Sequence, residues 1–438
     1  MVDLKDLREN PEKYKTAAKQ KRIAAEIDLL LELDSRCRAL DHQRQALTAE
    51  KNQIGRQIGQ LAAQIKKAAP DQKAAVEEQM KQLQARPAEL KVKEQQLEPE
   101  VADLQAKIQE ILYTVPQPAD DEVPIGKDDT ENVEVRRWGT VKQFDFPLKD
   151  HAQLGLDLGM IDVERGVKLA GTRSYFLTGP GALLHHAVLR LAIDVMIERG
   201  FTLMNVPVLV REGAMLGTGY FPLGRDQAYS LTNEEPPMFL VGTAEVSLTA
   251  FHMDEMLDVK QLPKKYFAQS PCFRREAGTY GKDTAGIYRI HQFDKVEQVV
   301  ICRNDIAESK YWHEQITANS ESLLQKLELP YRIVSVCTGD LGQGQVAKFD
   351  IETWMPSRQN YSETHSSSRF YDFQARRLNL RYRDEDGKVK FCHTLNNTVV
   401  ASPRILIPIM EYYQNADGSI TIPQALRPYM GGAERIEK

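Results

Sequence analysis

The sequence predicts an α+β protein in which an N-terminal antiparallel α-helical coiled-coil hairpin precedes an antiparallel β-sheet domain flanked by helices. Three observations support this prediction: a heptad pattern in the first quarter, a proline-rich acidic segment after it, and short strand patterns with few βαβ alternations beyond. The chain has 438 residues, 42% of them hydrophobic and 27% charged. This is the composition of a globular protein with a large core.

The first region contains apolar residues at 4-3 spacing from Leu33 to Ile65, and the same spacing returns between Val76 and Ile111. This pattern predicts two helices that fold back on each other as a coiled coil. At ~1.5 Å per residue each helix would reach roughly 50 Å, so we expect the hairpin to project into solvent. Pro87 and Pro99 should interrupt or kink the second helix, because proline lacks a backbone donor.

The charge of the hairpin differs from that of the whole chain. The segment from Arg36 to Lys93 contains twelve Lys and Arg residues and six Asp and Glu residues, although the net charge of the chain is −5. A basic hairpin suits contact with nucleic-acid phosphates. A solvated coiled coil that serves as a spacer or a dimerisation element explains the same charges, so the hairpin alone leaves both interpretations open.

The domain boundaries follow from composition. We predict a helical domain at residues 1–112, a linker at 113–135 that contains "VPQPADDEVPIGKDD", and an α+β domain at 136–438. Within the last domain, apolar residues from Leu184 to Val195 predict a helix that ends at Gly200. The segments that begin at Phe201 and Lys265 are predicted to be strands.

Five cysteines occur in the sequence, with no CxxC pair and no Cys/His cluster at metal-ligand spacing. The sequence therefore predicts reduced, mostly buried thiols, and neither a disulfide framework nor a zinc site. No apolar run approaches the ~20 residues that span a bilayer, so we expect no membrane association. These features favour a cytoplasmic location.

The stretch "CFRREAGTYGKDTAGIYRIHQFDKVEQ" at 272–298 is the most informative one. Strand alternation places Arg274 and Glu276 on one face and Arg275 on the other. After the glycine-rich loop, alternation gathers a second set on one face: His291, Phe293, Lys295 and Glu297. A guanidinium suits phosphate oxygens and an aromatic ring suits a base. Cross-strand ion pairs with Phe293 in the core explain the same pattern.

Further segments resemble the class II aminoacyl-tRNA synthetases and, within them, the bacterial seryl-tRNA synthetases. Residues 272–298 look like motif 2 and residues 198–222 resemble the motif 1 region. The remaining segments follow in the family's order: "GTAEVSLTAFH", "VCTGDLG", "YSETHSSSRFYDFQARRLNLRYR", "HTLNNTVVASPRILIPIMEYYQ" with motif 3, and "ITIPQALRPYMGG". The resemblance covers essentially the whole chain.

The resemblance implies an ATP site in which Arg274 binds the α-phosphate, Glu276 and Phe293 hold adenine, and Arg404 reaches the γ-phosphate. The catalytic candidates are Arg274, Glu363 and Arg404. Glu363 and Ser366 match the positions that bind Mg²⁺, a cation that prefers hard oxygen ligands. The full set of implied ATP-binding residues is Arg274, Arg275, Glu276, Phe293, Glu363, Thr364, His365, Ser366 and Arg404.

The resemblance also implies a serine pocket, formed by Thr243, Ala244, Glu245, Glu297, Asn396 and Thr398. Three departures from the family pattern concern the site: Arg275 replaces a common serine, "ETHS" replaces a glutamate followed by an aliphatic residue and two serines, and "NNTVVASPR" replaces a glycine-rich run. By parity Arg275 points away from the ATP face. His365 either contacts the nucleotide or fills the space of a β-branched residue, and we favour the filling role.

The implied activity has two steps. L-serine reacts with ATP to give seryl-adenylate and pyrophosphate, and the seryl group then moves to the 3′ end of tRNA(Ser), with tRNA(Sec) as a further substrate. The hairpin would contact the long variable arm of the tRNA, and motif 1 implies a homodimer. Two alternatives remain: a paralogue that activates serine for a biosynthetic pathway or a carrier protein, and a coiled-coil scaffold without catalytic activity.

Overall fold

A computed structural model describes residues 1–67, 69–278 and 286–438. Residue 68 in the predicted hairpin turn and residues 279–285 in the predicted motif 2 loop lie outside this part. The chain divides into two compact units. The core unit contains Met1–Asp3, Thr16–Ile23 and Pro116–Lys438, and the arm unit contains Leu4–Lys15 and Ala24–Val115. The predicted helical domain at 1–112 therefore contributes two short pieces to the core unit.

The described residues form the following α-helices: α1 Leu4–Glu9, α2 Pro11–Gln20, α3 Ile27–Ile65, α4 Pro70–Gln84, α5 Arg86–Leu112, α6 His151–Asp157, α7 Val163–Ala170, α8 Gly179–Glu198, α9 Glu212–Thr218, α10 Glu245–Ala250, α11 Ile306–Lys326, α12 Phe373–Leu378 and α13 Leu406–Tyr412. The strands are β1 Val133–Trp138, β2 Ile161–Asp162, β3 Phe176–Leu177, β4 Thr202–Leu203, β5 Leu209–Arg211, β6 Tyr229–Leu231, β7 Met238–Leu240, β8 Met256–Asp258, β9 Lys264–Phe273, β10 Gln292–Cys302, β11 Tyr331–Ser335, β12 Ala347–Met355, β13 Asn360–Tyr371, β14 Arg381–Arg383, β15 Val389–Phe391, β16 His393–Ser402, β17 Ile420–Thr421 and β18 Arg435–Ile436.

The arm unit contains the predicted hairpin, in which α3 packs along α4 and α5. Two ion pairs show that the helices run antiparallel. Arg36, early in α3, pairs with Glu100, whereas Glu50, later in α3, pairs with Arg86, which comes earlier in α5. Apolar side chains at the seam are buried, among them Cys37, Ile54, Leu90, Val101 and Leu104. The predicted antiparallel helical hairpin is confirmed.

The two prolines of the second helical segment behave differently. Helix α4 ends at Gln84 and α5 begins at Arg86, with Pro87 in the first turn of α5. A first-turn proline costs no helical hydrogen bond, so Pro87 marks a helix boundary. Pro99 lies inside α5, which continues to Leu112. The expected interruption therefore occurs at Pro87, while Pro99 does not end the helix.

The core unit is built on an eight-stranded sheet in the order β1-β11-β12-β13-β16-β10-β9-β4. All neighbours are antiparallel except β4, which pairs parallel with β9. The prediction of one strand from Phe201 onward is wrong, because β4 joins this sheet whereas β5 pairs with β7 in another. Pro207 lies between them and has no N–H for a continuous ladder.

Helices α8 and α11 pack on one face of the sheet, where they share a hydrophobic core with β10 and β16. The predicted helix residues Leu184, Val188 and Val195 are buried there, and Gly200 follows the helix with φ +72. Among the described helices, α8 alone has the length and composition to cross a membrane, and 56% of that apolar window is buried inside the fold. It is a core helix. All five cysteines are free and buried, as predicted.

The hairpin seam gives a first testable prediction. Leu90 is 1% exposed and Val92, two residues along the same helix, is 52% exposed. Leu90→Ala should destabilise the hairpin by about 2–5 kcal/mol because it leaves a cavity, whereas Val92→Ala should change stability by less than about 0.5 kcal/mol. Hydrogen exchange of the α3 and α5 amides measures both. Equal exchange rates in the two variants would contradict the buried seam.

Candidate active site

An open cavity lies against β10, β13 and β16. Side chains at even positions of β10, such as Val296 and Val300, belong to the core beneath α8 and α11. Odd positions, such as Phe293 and Lys295, line the cavity. Nine of the predicted site residues line it: Arg274, Glu276, Phe293, Glu363, Thr364, His365, Ser366, Thr398 and Arg404.

Four consecutive residues of β13 line the cavity, which simple strand alternation would not allow. The register with β12 shifts between Ile351 and Glu352, so that Ile351 pairs with His365 and Glu352 with Glu363. Thr364 is the extra residue of this β-bulge. The bulge therefore presents Glu363, Thr364, His365 and Ser366 together.

A second irregularity shapes the wall formed by β10 and β16. Val296 pairs with Val400 and Glu297 pairs with Thr398, so Val399 is an extra residue. Because of this shift, Thr398 and Ala401 both line the cavity although they are three residues apart.

Arg274 and Glu276 reach the cavity by a route different from the predicted one. Strand β9 ends at Phe273, and Glu276 has φ +51, a left-handed conformation. Alternation therefore does not extend to Glu276, and the backbone turn directs this side chain into the cavity. Arg274 donates through Nε to the carbonyl of Gly242 at 3.2 Å. Arg275 is exposed and is not among the lining residues.

Aromatic rings and guanidinium groups alternate along the cavity wall. The Arg274 guanidinium lies 5.2 Å from the centroid of the Phe293 ring, and the Arg404 guanidinium lies 4.4 Å from that of Tyr288. Arg404 also donates through Nε to the Tyr288 carbonyl at 3.1 Å. These contacts hold two guanidinium groups in place for planar or anionic ligands.

Glu363 is the acidic group of this wall. Burial raises its pKa, but the positive charges of Lys348, Arg404 and Arg274 outweigh this and hold the pKa below the ordinary value. The carboxylate is therefore ionised at neutral pH, and Arg404 Nη1 lies 3.7 Å from it. Within the described residues, no group of three or more His, Cys, Asp or Glu side chains is arranged to hold a metal ion.

His365 is buried in the same wall, at 1% exposure. Burial lowers its pKa to about 3, so the ring is uncharged at neutral pH. Its Nδ1 lies 2.7 Å from the hydroxyl of Thr364. A buried neutral ring fits the predicted space-filling role.

A polar cluster adjoins the cavity through Lys295 and Thr398. Lys295 Nζ lies 2.8 Å from Thr243 Oγ1 and 2.5 Å from Glu297 Oε2. Thr398 donates to Glu297 Oε2 at 3.2 Å. Lys295 and Glu297 are 5% and 2% exposed, so this ion pair is held away from water.

Glu245 belongs to the same cluster. Burial raises its pKa to about 7, and the charge of Glu297 adds to the shift. Gln374 donates to Glu245 Oε1 at 2.7 Å, and Asn396 also hydrogen-bonds to Glu245. Ala244, by contrast, is fully buried in a hydrophobic cluster. Five of the six predicted pocket residues thus belong to one hydrogen-bonded group, and Ala244 packs behind it.

Sequence reasoning left six lining residues out of the proposed site: Ile287, Tyr288, Arg289, Ile290, Lys295 and Ala401. Lys295 shares the strand face of Phe293 and Glu297, so alternation was a sufficient signal for it. Arg289 binds Glu276 at 3.0 Å. Tyr288 and Arg289 are positioned by a segment without regular alternation, and no sequence pattern marks them.

The comparisons with known proteins first define the class. The family described as "tRNA synthetase class II core domain (G, H, P, S and T)" matches residues 229–413, which contain all the residues that line the cavity. The family described as "Seryl-tRNA synthetase N-terminal domain" matches residues 1–118. The fold and the cavity are thus those of a class II aminoacyl-tRNA synthetase.

Individual relatives narrow this to one family. The "Serine--tRNA ligase" of Deinococcus radiodurans is 43% identical over 434 residues, which cover 99% of this chain and 98% of the relative. A seryl-tRNA synthetase from Pyrococcus horikoshii complexed with ATP has a TM-score of 0.89 at 38% identity, with coverage of 100% and 99%. The chain belongs to the seryl-tRNA synthetase family, and its enzymatic activity is that of a serine–tRNA ligase.

The similarity extends to more distant members. A cytoplasmic serine–tRNA ligase from Naegleria fowleri in complex with AMP has a TM-score of 0.85 at 28% identity, and the match covers 98% of this chain and 96% of that one. Since the similarity includes both the helical hairpin and the catalytic domain, a scaffold without catalytic activity and a paralogue for another pathway are not favoured.

The buried Lys295–Glu297 pair gives a prediction for stability. Lys295→Met should destabilise the protein by about 3–5 kcal/mol because it leaves the Glu297 carboxylate buried without its cation. The double variant Lys295→Met/Glu297→Gln removes both charges and should recover most of this loss. Urea unfolding of the three proteins measures the effect. Additive losses in the double variant would show that the two groups do not act as a pair.

Proposed function

We propose that the cavity lined by Arg274, Phe293 and Arg404 binds ATP and that the adjoining polar cluster binds serine, so that the serine carboxylate meets the α-phosphate between them. The observation that carries this proposal is that the cavity and the polar cluster are continuous. Lys295 and Thr398 line the cavity and also belong to the hydrogen-bonded cluster. A nucleotide in the cavity and an amino acid in the cluster would therefore share a boundary.

For ATP we assign the α-phosphate to Arg274, whose guanidinium is held by Gly242 O. Phe293 and Glu276 take adenine, through stacking and hydrogen bonding respectively, and Arg404 takes the γ-phosphate. The ATP and AMP complexes of the two structural relatives support nucleotide binding in a site of this kind. Thr364 and Ser366 contribute hydroxyls to the same wall. Arg275 is outside the cavity and has no direct role in this proposal.

The residues present fit a Mg²⁺ ion. Glu363 is kept ionised by the surrounding cations, and Ser366 lies on the same cavity wall. Carboxylate and hydroxyl oxygens are suitable ligands, and Mg²⁺ commonly takes few protein ligands and completes its shell with phosphate oxygens and water. When bound, the ion would neutralise negative charge on the phosphates.

The chemistry proposed for this chain needs positioning and charge neutralisation rather than a covalent enzyme nucleophile. The serine carboxylate attacks the α-phosphorus, pyrophosphate leaves, and seryl-adenylate remains. Arg274 and Arg404 hold the phosphates as charge develops. The 3′-terminal ribose hydroxyl of tRNA then attacks the seryl carbonyl, and AMP leaves.

For serine we assign the ammonium group to Glu245 and Glu297, and the hydroxyl to the polar side chains around Thr398. Glu297 is already neutralised by Lys295 at 2.5 Å, so Glu245 has the greater capacity to bind an incoming cation. A pocket that hydrogen-bonds the hydroxyl would reject alanine, because its polar groups would be left unpaired.

For tRNA we propose that the arm unit binds tRNA(Ser) through its long variable arm, and tRNA(Sec) in the same way where it occurs. The match to the seryl-tRNA synthetase N-terminal domain supports this role. The excess of Lys and Arg between Arg36 and Lys93 provides the charge for phosphate contacts. The cytoplasm, where the free cysteines stay reduced, is the compartment that fits.

We further propose a homodimer. Several apolar side chains near α7, β3 and the start of α8 are exposed to solvent: Val167, Leu169, Phe176 and Leu183. An exposed apolar patch of this kind is typical of an interface, and a two-fold dimer would cover it on both chains. Sedimentation at micromolar concentration tests the assembly, and a mass close to that of one chain would exclude it.

The function is tested by serine-dependent exchange of pyrophosphate into ATP, followed by charging of a tRNA(Ser) transcript. We expect both reactions to require L-serine. Exchange without any transfer to tRNA would favour a biosynthetic paralogue. Absence of serine-dependent exchange in the folded protein would refute the proposed chemistry.

Adjacent arginines provide a matched test of the ATP site. Arg274→Ala should lower kcat/KM for exchange by a factor of about 10²–10³, because an oriented charge on the α-phosphate is lost. Arg275→Ala removes the same side chain from an exposed position outside the cavity and should stay within about threefold of the parent. Equal losses in the two variants would remove Arg274 from its assigned role.

The raised pKa of Glu245 predicts a pH dependence. With a pKa of about 7, this carboxyl is mostly protonated below that pH and ionised above it. The ionised form attracts the serine ammonium, so kcat/KM for serine should rise between about pH 6 and pH 8. Glu245→Gln should lower kcat/KM and flatten this rise. A variant with the parent's pH profile would show that another group titrates.

The arm is tested by charge reversal of two exposed lysines. Lys66→Glu/Lys67→Glu should leave pyrophosphate exchange unchanged but weaken tRNA binding. The slope of log K for tRNA binding against log salt concentration should decrease in magnitude by about 1–2. Lys388→Glu, at an exposed lysine of the core unit, is the control. Unchanged tRNA affinity in the double variant would exclude Lys66 and Lys67 from the contact.

A further inference from the structure

A buried histidine behind the cavity connects two strands that carry proposed ATP-binding residues. His185 belongs to α8 and is 7% exposed. Its Nδ1 lies 2.8 Å from Ser402 Oγ and its Nε2 lies 3.1 Å from Asp294 Oδ2. Asp294 and Ser402 are direct cross-strand partners of β10 and β16. One imidazole ring thus bridges both members of a single register pair.

The bridged pair lies where the cavity wall is assembled. Asp294 stands between Phe293 and Lys295, which line the cavity from the opposite face of β10. Ser402 is the last residue of β16, and Arg404 follows two residues later. The position of Arg404 relative to Phe293 therefore depends on the spacing of these strand ends.

The regular sheet gives this pair limited support. Because of the register shift between Val296 and Glu297, only three pairs of β10 and β16 lie beyond the bulge, and the Asp294–Ser402 pair is the outermost. A side-chain bridge from α8 adds restraint at the point where the backbone ladder ends. His185 is suited to this role because its two nitrogens can bind two groups at once.

The three side chains do not form a hydrolytic triad. Ser402 is fully buried, so its hydroxyl has no access to a substrate. An Asp carboxylate only accepts hydrogen bonds, so Nε2–H donates to Asp294, and in the neutral ring Nδ1 accepts from the Ser402 hydroxyl. The hydroxyl hydrogen of Ser402 is thus already bonded to Nδ1 of His185. The three side chains form a structural hydrogen-bond network that links β16 to β10 through α8.

We propose that His185 is a positioning residue for ATP: it fixes the separation of the β10 and β16 ends and thereby the geometry between Phe293 and Arg404. This inference rests on the proposed roles of those two residues in ATP binding. Loss of either hydrogen bond would loosen the wall of the ATP cavity, while Glu297 and Thr398 of the serine cluster pair with each other on the inner side of the bulge.

The test uses two substitutions, each of which removes one of the two hydrogen bonds of His185 and keeps the other. In His185→Asn the amide occupies a position similar to Nδ1 and retains a partner for Ser402, and in His185→Gln it is closer to the position of Nε2 and retains a partner for Asp294. Each should raise the KM for ATP in pyrophosphate exchange by about tenfold, because one buried hydrogen bond is lost and its partner is left unpaired. The KM for serine should remain within about twofold.

The neighbouring histidine supplies a matched control. His186 lies next in α8, is exposed, and contacts His185 only edge to ring at 5.1 Å between centroids. His186→Asn and His186→Gln make the same chemical changes and should leave both KM values unchanged. If the His185 variants also leave the KM for ATP unchanged, or raise both KM values equally, the positioning role is refuted.

A double-mutant cycle tests whether His185 acts through Phe293. The effect of His185→Gln on the KM for ATP should largely disappear in a Phe293→Leu background, because the misplaced ring is no longer there. Fully additive effects would overturn the proposal. Should the His185 variants fail to fold, Asp294→Asn and Asp294→Ala replace them: Asn keeps an acceptor oxygen and should retain the parent's KM for ATP, whereas Ala should raise it.

Failure of this inference is distinguishable from failure of the proposed function. A parent protein without serine-dependent exchange would refute the function itself. A parent with normal exchange, together with His185 and Asp294 variants of unchanged KM for ATP, would refute only the positioning role.

Discussion

The cavity of this protein depends on two interruptions of strand alternation in the central sheet. In a regular antiparallel strand every second side chain faces the same side, so a strand offers a ligand few adjacent groups. The bulge at Thr364 allows four successive residues of β13 to line the cavity, and the shift beside Val399 brings Thr398 and Ala401 to the same side. The rest of the site is arranged around these two irregularities.

Electrostatic balance is the second condition for the site. Arg274, Arg404 and Lys348 hold Glu363 ionised although burial opposes its charge, while Lys295 neutralises Glu297 at 2.5 Å. Glu245 lacks a comparable cation at that distance among its described contacts, and its pKa rises to about 7. The two carboxyl groups of one cluster thus lie in different electrostatic surroundings, which suits a pocket that binds a cationic ammonium next to an anionic phosphate.

The network behind the sheet has a related role. His185 makes no contact with the cavity described here, yet its two hydrogen bonds end on residues adjacent to Phe293 and close to Arg404. Such contacts restrict the strand ends where the backbone ladder stops. They illustrate how a helix on one face of a sheet influences ligand groups on the other face without touching the ligand.

The amino-acid sequence was enough to predict the parts of this protein that depend on local periodicity and on family resemblance. The heptads of α3 and α5, the alternation of Phe293, Lys295 and Glu297, and the ordered motifs were sufficient for the hairpin, the antiparallel sheet and the family. Three features became visible only in the folded protein: the turn that brings Glu276 into the cavity, the bulges at Thr364 and Val399, and the bridge from His185 to Asp294 and Ser402. Periodicity is encoded by neighbouring residues, whereas a register shift or a bridge between distant segments is set by packing among strands and helices that are far apart in the chain.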